Sequence, residues 1–319
     1  MESKTKNKQP RDILIQMINA SFPDLTIINI AELKEGFFNV AYDITLSNDQ
    51  EVILKIAPPL DAEILSYEID LMRTEVESMR LVKETTTVPV PYIYCYDDTH
   101  SICNADYFIM EKLHGVTYSS IRNSLSQDKQ YHIDYQLGEY NHMINIISND
   151  TFGIYSKKNY HGSDWMTVFL CMLKNILDDA KNKNTDLGYD YDSLYQTVKH
   201  YSYALKEVTK PKLVHWDLWE GNVFVEDNKI IGIIDFERAM WADPLMEYFF
   251  RNHINSDGFL KGYGDIPNDE SAMIRRCLYD IYLYTIMITE CDYRHYSDDS
   301  QRNWAKEQLK DSVEKLIHF

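Results

Sequence analysis

Three side chains between Lys212 and Pro244 carry the oxygen atoms that phosphate chemistry needs. Asp217 and Asn222 stand five residues apart in one stretch, and Asp235 follows the next two apolar segments. Carboxylate and amide oxygens are ligands that Mg²⁺ prefers, at distances of about 2.0–2.1 Å. A carboxylate beside such an ion is able to accept or orient the proton of a hydroxyl group. The stretch therefore predicts a site that handles a metal-bound phosphate group.

A β-hairpin is predicted to bring Asn222 and Asp235 together. Two short β-branched runs flank Asp227 and Asn228, a pair that favours a tight turn. A two-residue turn at this pair sets Asn222 opposite Ile233. Because side chains alternate along a strand, Ile233 and Asp235 share a face of the hairpin with Asn222. As diagonal neighbours, the two metal-ligating residues would lie about 7–8 Å apart at the backbone.

The elements before residue 113 predict a small antiparallel sheet covered by one helix. Apolar and β-branched patterns indicate five strands, and a three- and four-residue apolar repeat indicates the helix. After residue 113 the patterns are mainly helical, apart from the hairpin and a loop expected at 258–267. The predicted fold class is α+β. The predicted strands are 26–30, 40–46, 51–57, 92–96 and 107–110, and the predicted helix is 64–83.

Lys55 lies inside an apolar predicted strand, where an ammonium group is costly unless it is paired. Glu75 falls on the apolar stripe of the predicted helix 64–83 and is a suitable partner. Glu68, earlier on that stripe, is the rival partner. The alternative is that Lys55 extends its long side chain to the surface without an ion pair.

Together these features resemble the aminoglycoside phosphotransferase and choline kinase branch of the kinase-like fold. The resemblance rests on the run from His215 to Asn222 and on Asp235, and it extends over about residues 36–247. It implies that Asp217 is the catalytic base or orienting group and that Asn222 and Asp235 bind Mg²⁺. His215 would be structural. Trp216 stands where a smaller residue is more usual in that family, and we interpret it as local packing.

The resemblance also implies a bilobal protein-kinase-like fold that uses ATP or GTP as phosphate donor. Residues 1–112 would form the nucleotide-binding N-lobe, and 113–319 the mainly helical C-lobe with the catalytic loop and the acceptor site. In the N-lobe, the Lys55–Glu75 pair would hold the α- and β-phosphates. Gly36 and Asn39 would cover the phosphates, although a glycine between strands is as often a simple turn. The hinge facing the purine, which a plain loop also explains, would contain Met110, Glu111 and Leu113.

The phosphate acceptor is expected to be a hydroxyl group of a small, cationic molecule. Glu237, Glu247, Glu290 and Asp292 lie in regions that could line its site, and carboxylates there suit an aminoglycoside antibiotic. One alternative is a metabolic kinase acting on choline, a fructosamine or homoserine. Another is a catalytically silent nucleotide-binding module, although such modules commonly lose at least one of the residues quoted above.

Composition excludes several other classes. The chain of 319 residues has 45% hydrophobic and 26% charged residues, which is typical of a globular protein. Its net charge of -18 argues against a nucleic-acid-binding protein. Five cysteines without a Cys-x-x-Cys pair indicate free thiols in a reducing cytoplasm. No apolar run is long enough for a membrane span, and the polar N-terminus carries no export signal.

Overall fold

The computed structural model describes residues 6–34, 36, 38–254, 256–296 and 298–319. The chain divides into two compact units. The first contains residues 1–63, 90–114 and 294–297, and the second contains 64–89, 115–293 and 298–319. This division differs from the predicted lobes chiefly at residues 64–89, which contain the predicted helix 64–83 and group with the second unit. Residues 113–114 and 294–297 group with the first unit instead of the second. That helix packs against the turn at 236–238, which lies in the second unit.

The first unit is a five-stranded antiparallel sheet with one helix, α1 (Arg11–Ser21). The strand order is β1-β2-β3-β5-β4. Leu14, Met17 and Ile18 of α1 are buried together with apolar side chains of the sheet. This arrangement confirms the five predicted strands. They are β1 (Ile27–Leu33), β2 (Val40–Leu46), β3 (Glu51–Ile56), β4 (Ile93–Asp97) and β5 (Tyr107–Glu111).

The second unit is mainly helical. A 3₁₀ turn at Ser66–Glu68 precedes its first helix, because Asp70 takes a left-handed conformation with φ 60°. The predicted helix from residue 64 is therefore shorter than expected. The helices are α2 (Leu71–Thr85), α3 (Tyr118–Ile121), α4 (Gln127–Ile146), α5 (Trp165–Lys183), α6 (Tyr191–Tyr201), α7 (Asp257–Tyr263), α8 (Glu270–Tyr293) and α9 (Ser300–Leu316).

The segments between these helices contain two small three-stranded sheets. Their strand orders are β10-β9-β6 and β7-β11-β8. Sequence analysis predicted only the β9–β10 hairpin, because the other strands have two or three residues and show no alternating pattern. The strands are β6 (Val116–Thr117), β7 (Gly153–Ile154), β8 (Lys212–Val214), β9 (Val223–Glu226), β10 (Lys229–Ile233) and β11 (Met240–Ala242).

Helix α7 replaces the loop that was expected at 258–267. The helix was not predicted because it contains two glycines, which have poor helix propensity. Its N-terminus is capped by Ser256, whose hydroxyl accepts a hydrogen bond from the Phe259 amide at 3.2 Å. The glycines are needed because α7 lies directly against α4. A Cβ atom on Gly262 would approach the Tyr135 carbonyl oxygen to 1.9 Å, and one on Gly258 would approach the Tyr131 carbonyl oxygen to 2.7 Å.

Gly262→Ala is expected to destabilise the protein by about 1–3 kcal/mol, because the added methyl group must push two backbones apart. Urea unfolding followed by circular dichroism measures the change in free energy. Lys261→Ala on the same helix is the control, because Lys261 is exposed. An unchanged unfolding midpoint for the glycine variant would contradict the close α4–α7 contact.

None of the helices in the described part of the chain is long and apolar enough to cross a membrane.

Candidate active site

A buried carboxylate holds the loop that follows β8. Glu247 has no exposed surface, and its Oε1 and Oε2 accept hydrogen bonds from the backbone amides of His215 and Trp216, each at 2.9 Å. Asn141 and Asn145 of α4 donate to Oε1 at 2.8 and 2.9 Å. A carboxylate with several donors satisfies its own charge and fixes the groups around it. Glu247 therefore attaches the start of the loop to helix α4.

His215 and Trp216 set the direction of the loop. The His215 ring is fully buried, with Nδ1 accepting from the Asp217 amide at 3.3 Å and Nε2 3.0 Å from the Ile234 carbonyl oxygen. Trp216 has a φ of 67°, an unusual value for a bulky residue. Its ring stacks on Tyr282 at 5.5 Å between centroids. Both residues are thus packed in place, which agrees with the structural interpretation of each.

Asp217 and Asn222 meet in this loop. The side-chain amide nitrogen of Asn222 donates to the Asp217 carbonyl oxygen at 2.8 Å and lies 3.4 Å from the Asp217 carboxylate. Burial raises the pKa of the Asp217 carboxyl group, and the negative charge of Asp235 also raises it. The guanidinium groups of Arg238 and Arg251 act in the opposite direction on this pKa. The structure therefore brings Asp217 close to Asn222 and within electrostatic range of Asp235.

The hairpin between these residues has the predicted turn but not the predicted register. Asp227 and Asn228 form the two-residue turn, with Lys229 paired to Glu226. A bulge at Ile231 then shifts the pairing by one residue, so that the Ile234 amide, rather than Ile233, lies opposite Asn222 and donates to its carbonyl oxygen at 3.0 Å.

The predicted shared face of Asn222 and Asp235 was therefore derived from a wrong register. Asn222 ends a 3₁₀ turn before β9, outside the strand. Asp235 has a left-handed conformation with φ 66° beyond the end of β10. Strand alternation does not determine side-chain direction at either position. Asn222 and Asp235 instead lie near Asp217 because of the 3₁₀ turn before β9 and the left-handed backbone after β10.

Three carboxylates gather at the end of the hairpin. Ligand oxygens of Glu75, Asp235 and Glu237 all lie within 4.8 Å of one another. Glu75 reaches this place because α2 packs on the turn Phe236–Arg238. The proximity of Glu75 and Glu237 to Asp235 was not predicted, because the expected partner of Glu75 is Lys55 and the expected role of Glu237 is to line the acceptor site. A set of hard oxygen donors of this kind fits Mg²⁺.

Arg238 and Arg251 are two cations that sequence analysis missed. The Arg238 guanidinium lies 5.9 Å from the Trp216 ring centroid and 3.4 Å from the Glu290 carboxylate. Arg251 donates from Nη2 to the Trp216 carbonyl oxygen at 2.8 Å. Neither residue carries a spacing signal, because each reaches the loop through tertiary folding.

The predicted nucleotide-binding residues other than Glu75 belong to the first unit. Lys55 is a half-buried residue of β3, opposite Ala41 and Phe108. Gly36 has a φ of 102°, which favours glycine, and Asn39 is buried. Glu35 and Phe37 lie outside the described residues. The ion pair of Lys55 with Glu75 and the phosphate contacts stay predictions.

The predicted hinge begins inside strand β5. Met110 is opposite Ile53 of β3 and Ile93 of β4, and Glu111 is opposite Val52. The Glu111 carboxylate also accepts a hydrogen bond from the Tyr92 amide at 3.0 Å. Leu113 follows the strand. Contact of these residues with a purine stays a prediction.

The carboxylates expected to line the acceptor site have other roles within the second unit. The expectation for Glu247 was wrong, because its side chain is fully buried beneath the loop. Glu290 accepts from Gln301 at 2.8 Å and pairs with Arg238. Asp292 pairs with Arg302 at 2.6 Å. A pattern of acidic residues did not distinguish structural carboxylates from ligand-binding ones.

Comparison with known proteins shows the family and the fold of the chain. The sequence profile of the phosphotransferase enzyme family matches residues 29–250. A subtelomeric hrmA-associated cluster protein of Aspergillus fumigatus is 31% identical over 139 residues, which are 43% of this chain and 26% of that protein. The chain spans about a quarter of the length of the curated relatives it matches.

Solved structures show the same fold at low identity. The streptomycin–ATP–APH(2″)-IIa ternary complex matches with a TM-score of 0.65 and 17% identity, covering 97% of this chain and 99% of that chain. A Thermobifida fusca protein assigned as a fructosamine-3-kinase matches with a TM-score of 0.65 and 16% identity, covering 96% and 99%. The predicted kinase-like α+β fold is thus confirmed. The chain belongs to the phosphotransferase enzyme family.

Proposed function

We propose that this protein transfers the γ-phosphoryl group of ATP or GTP to a hydroxyl group of a small, cationic molecule. The observation that carries the proposal is the contact of Asn222 with Asp217, together with the electrostatic effect of Asp235 on the Asp217 carboxylate. Phosphoryl transfer needs little covalent help from the protein, so that positioning and charge neutralisation provide most of the acceleration. A loop fixed at its start by Glu247 is suited to such positioning.

In this proposal Asn222 and Asp235 hold Mg²⁺. The side-chain nitrogen of Asn222 donates to Asp217, and the amide oxygen is the atom that would bind the ion. Asp235 shares its place with the carboxylates of Glu75 and Glu237, an oxygen-rich set that fits a hard cation. When bound, the ion neutralises charge on the phosphate oxygens.

The chain's own residues supply the remaining functions. Asp217 accepts or orients the proton of the acceptor hydroxyl, and Asn222 keeps its loop in place. Burial raises the pKa of the Asp217 carboxyl group, which strengthens it as a proton acceptor, and the Arg238 guanidinium limits that rise. As the resemblance implies, Lys55 with Glu75 as its partner positions the α- and β-phosphates. Gly36 and Asn39 cover the phosphates, and the purine edge meets the hinge of Met110, Glu111 and Leu113.

For the acceptor we favour an aminoglycoside. A cavity of about 430 Å³ in the second unit is lined by tyrosine rings, which suit the faces of sugars. Its wall includes Tyr282, whose ring stacks on Trp216, the residue before Asp217. The charged side chains in the lining are Asp70, Asp178, Asp179, Lys157 and Lys158, which leaves a small excess of carboxylates for ammonium groups.

A substrate panel tests the proposal. The purified protein is incubated with Mg²⁺, ATP or GTP and one acceptor from streptomycin, hygromycin B, choline, homoserine and a fructosamine. We expect a streptomycin or hygromycin B product heavier by one phosphoryl group in mass spectrometry, and loss of that product when EDTA removes the metal. Phosphorylation of choline, homoserine or fructosamine alone would favour the metabolic alternative.

The same panel distinguishes a silent nucleotide-binding module. In that case ATP or GTP raises the melting temperature, but none of the acceptors gains a phosphoryl group. The panel includes a fructosamine because this chain is structurally similar to the Thermobifida fusca protein assigned as a fructosamine-3-kinase.

We further propose a cytoplasmic location. All five cysteines are free thiols, and two of them, Cys277 and Cys291, are buried without a disulfide. Free thiols are typical of a reducing compartment.

A further inference from the structure

A second cavity of about 430 Å³ lies between α7 and the start of α8. All its lining residues belong to the second unit. Its charged lining residues are Arg251, Arg276 and Asp265. The two guanidinium groups give the cavity a positive excess, although the whole chain has a net charge of -18. A local positive site in an acidic protein indicates a specific anionic ligand more strongly than it would in a basic protein.

Arg276 is incompletely satisfied in the described part of the chain. Its Nη1 and Nη2 donate to the Asn268 side chain at 3.4 Å and the Pro267 carbonyl oxygen at 3.1 Å, which are both neutral acceptors. Its Nε is buried and has no hydrogen-bond partner among the described residues. Burial and the neighbouring Arg275 guanidinium lower the pKa of Arg276, and the carboxylates of Asp243 and Asp280 act in the opposite direction without forming a salt bridge with it. An anion in the cavity would give the Arg276 guanidinium a directly hydrogen-bonded charged partner in place of these neutral acceptors.

Arg251 is the second cation of the cavity. It donates from Nη2 to the Trp216 carbonyl oxygen at 2.8 Å, and its guanidinium lies 4.9 Å from the Tyr248 ring centroid. Within the described residues, neither Arg251 nor Arg276 forms a salt bridge. A guanidinium has five N–H donors in a planar fork, and the fork matches the paired oxygens of phosphate or carboxylate. Arg251 therefore retains donor capacity beyond its bond to Trp216.

We propose that the cavity between α7 and α8 is a binding site for a small anion with phosphate or carboxylate oxygens, held by Arg276 and Arg251. A volume of about 430 Å³ accommodates a phosphorylated metabolite rather than a single inorganic ion alone. The Asn268 side chain at the rim adds a neutral polar group. Arg251 also donates to the carbonyl oxygen of Trp216, the residue before Asp217. An anion bound to Arg251 would therefore be linked to the catalytic loop through this one side chain.

Calorimetry with the full chain tests the site. Inorganic phosphate, a sugar monophosphate and citrate are titrated at constant ionic strength, so that free phosphate, a phosphate ester and a carboxylate are distinguished. We expect saturable binding of at least one of the three. Arg276→Gln should weaken that binding at least tenfold, whereas Arg80→Gln, which removes one exposed cation from α2, should leave it unchanged.

A second variant covers the case in which Arg276→Gln fails to fold. Asn268→Asp places a carboxylate beside Arg276 at an exposed position, where it competes with the ligand without disturbing the core. Binding should again fall severalfold. Absence of binding for all three anions in the wild type overturns the proposal. Binding that survives both Asn268→Asp and a folded Arg276→Gln also overturns it, because the anion then occupies another place.

Discussion

Asp217→Ala is expected to lower turnover by about two to four orders of magnitude while it leaves nucleotide affinity nearly unchanged. The carboxylate is removed from the place where the acceptor hydroxyl must lose its proton, but the proposed donor-binding residues stay intact. Asn222 loses a weak contact of 3.4 Å with the carboxylate and keeps its bond of 2.8 Å to the Asp217 carbonyl oxygen. The measurements are steady-state turnover with the acceptor identified by the panel and ATP binding by calorimetry.

The control separates a local effect from a general effect of lost negative charge. Glu226→Gln removes an exposed carboxylate from the nearby hairpin and should retain full turnover. Near-normal turnover of Asp217→Ala would show that Asp217 is not the catalytic carboxylate. A parallel loss of ATP binding would show that the substitution disturbs the fold of the loop, and the kinetic assignment would then lose its basis.

The parts of the fold that were predicted correctly depend on local patterns. Alternation of apolar residues indicated the five strands of the first unit, and the Asp227–Asn228 pair fixed a two-residue turn. Both signals are local, because a strand has one buried face and a tight turn needs residues that tolerate positive φ. Asp227 and Asn228 have φ values of 48° and 60°.

The parts that were missed depend on single residues or on distant contacts. The bulge at Ile231 has no sequence mark, yet it moves the pairing of the hairpin by one residue. Glu75 lies near Asp235 because a helix more than one hundred residues earlier in the chain packs on the turn after the hairpin. Helix α7 was hidden by glycines that close packing against α4 requires. None of these features follows from local residue preferences.

Glu247 shows the same limit in the active site. Its position in the sequence predicted a carboxylate that could line the site of a cationic acceptor. The structure instead surrounds it with four donors, two from the loop backbone and two from α4. A buried carboxylate of this kind determines where Asp217 stands, although it does not touch any reacting group in the proposal.

Glu247→Ala is therefore expected to destabilise the protein by about 3–5 kcal/mol, because it leaves buried donors without an acceptor. That is a large part of the about 5–15 kcal/mol that stabilises a typical domain. Glu247→Gln should cost less, because its amide oxygen still accepts, although its NH₂ group faces a donor. Urea unfolding gives the free energies, and Glu139→Gln, an exposed position on α4, is the control.

A double-mutant cycle shows whether the loss comes from the bonds or from the cavity left by the side chain. Asn141 donates to Glu247 at 2.8 Å, so Asn141→Ala removes one of the four bonds directly. If the hydrogen bonds carry the stability, the two substitutions are non-additive, and Asn141→Ala costs less in the Glu247→Ala background. Additive effects would mean that Glu247 stabilises the loop mainly by filling space. In that case Glu247→Gln would match the wild type, and the carboxylate charge would not be what positions Asp217.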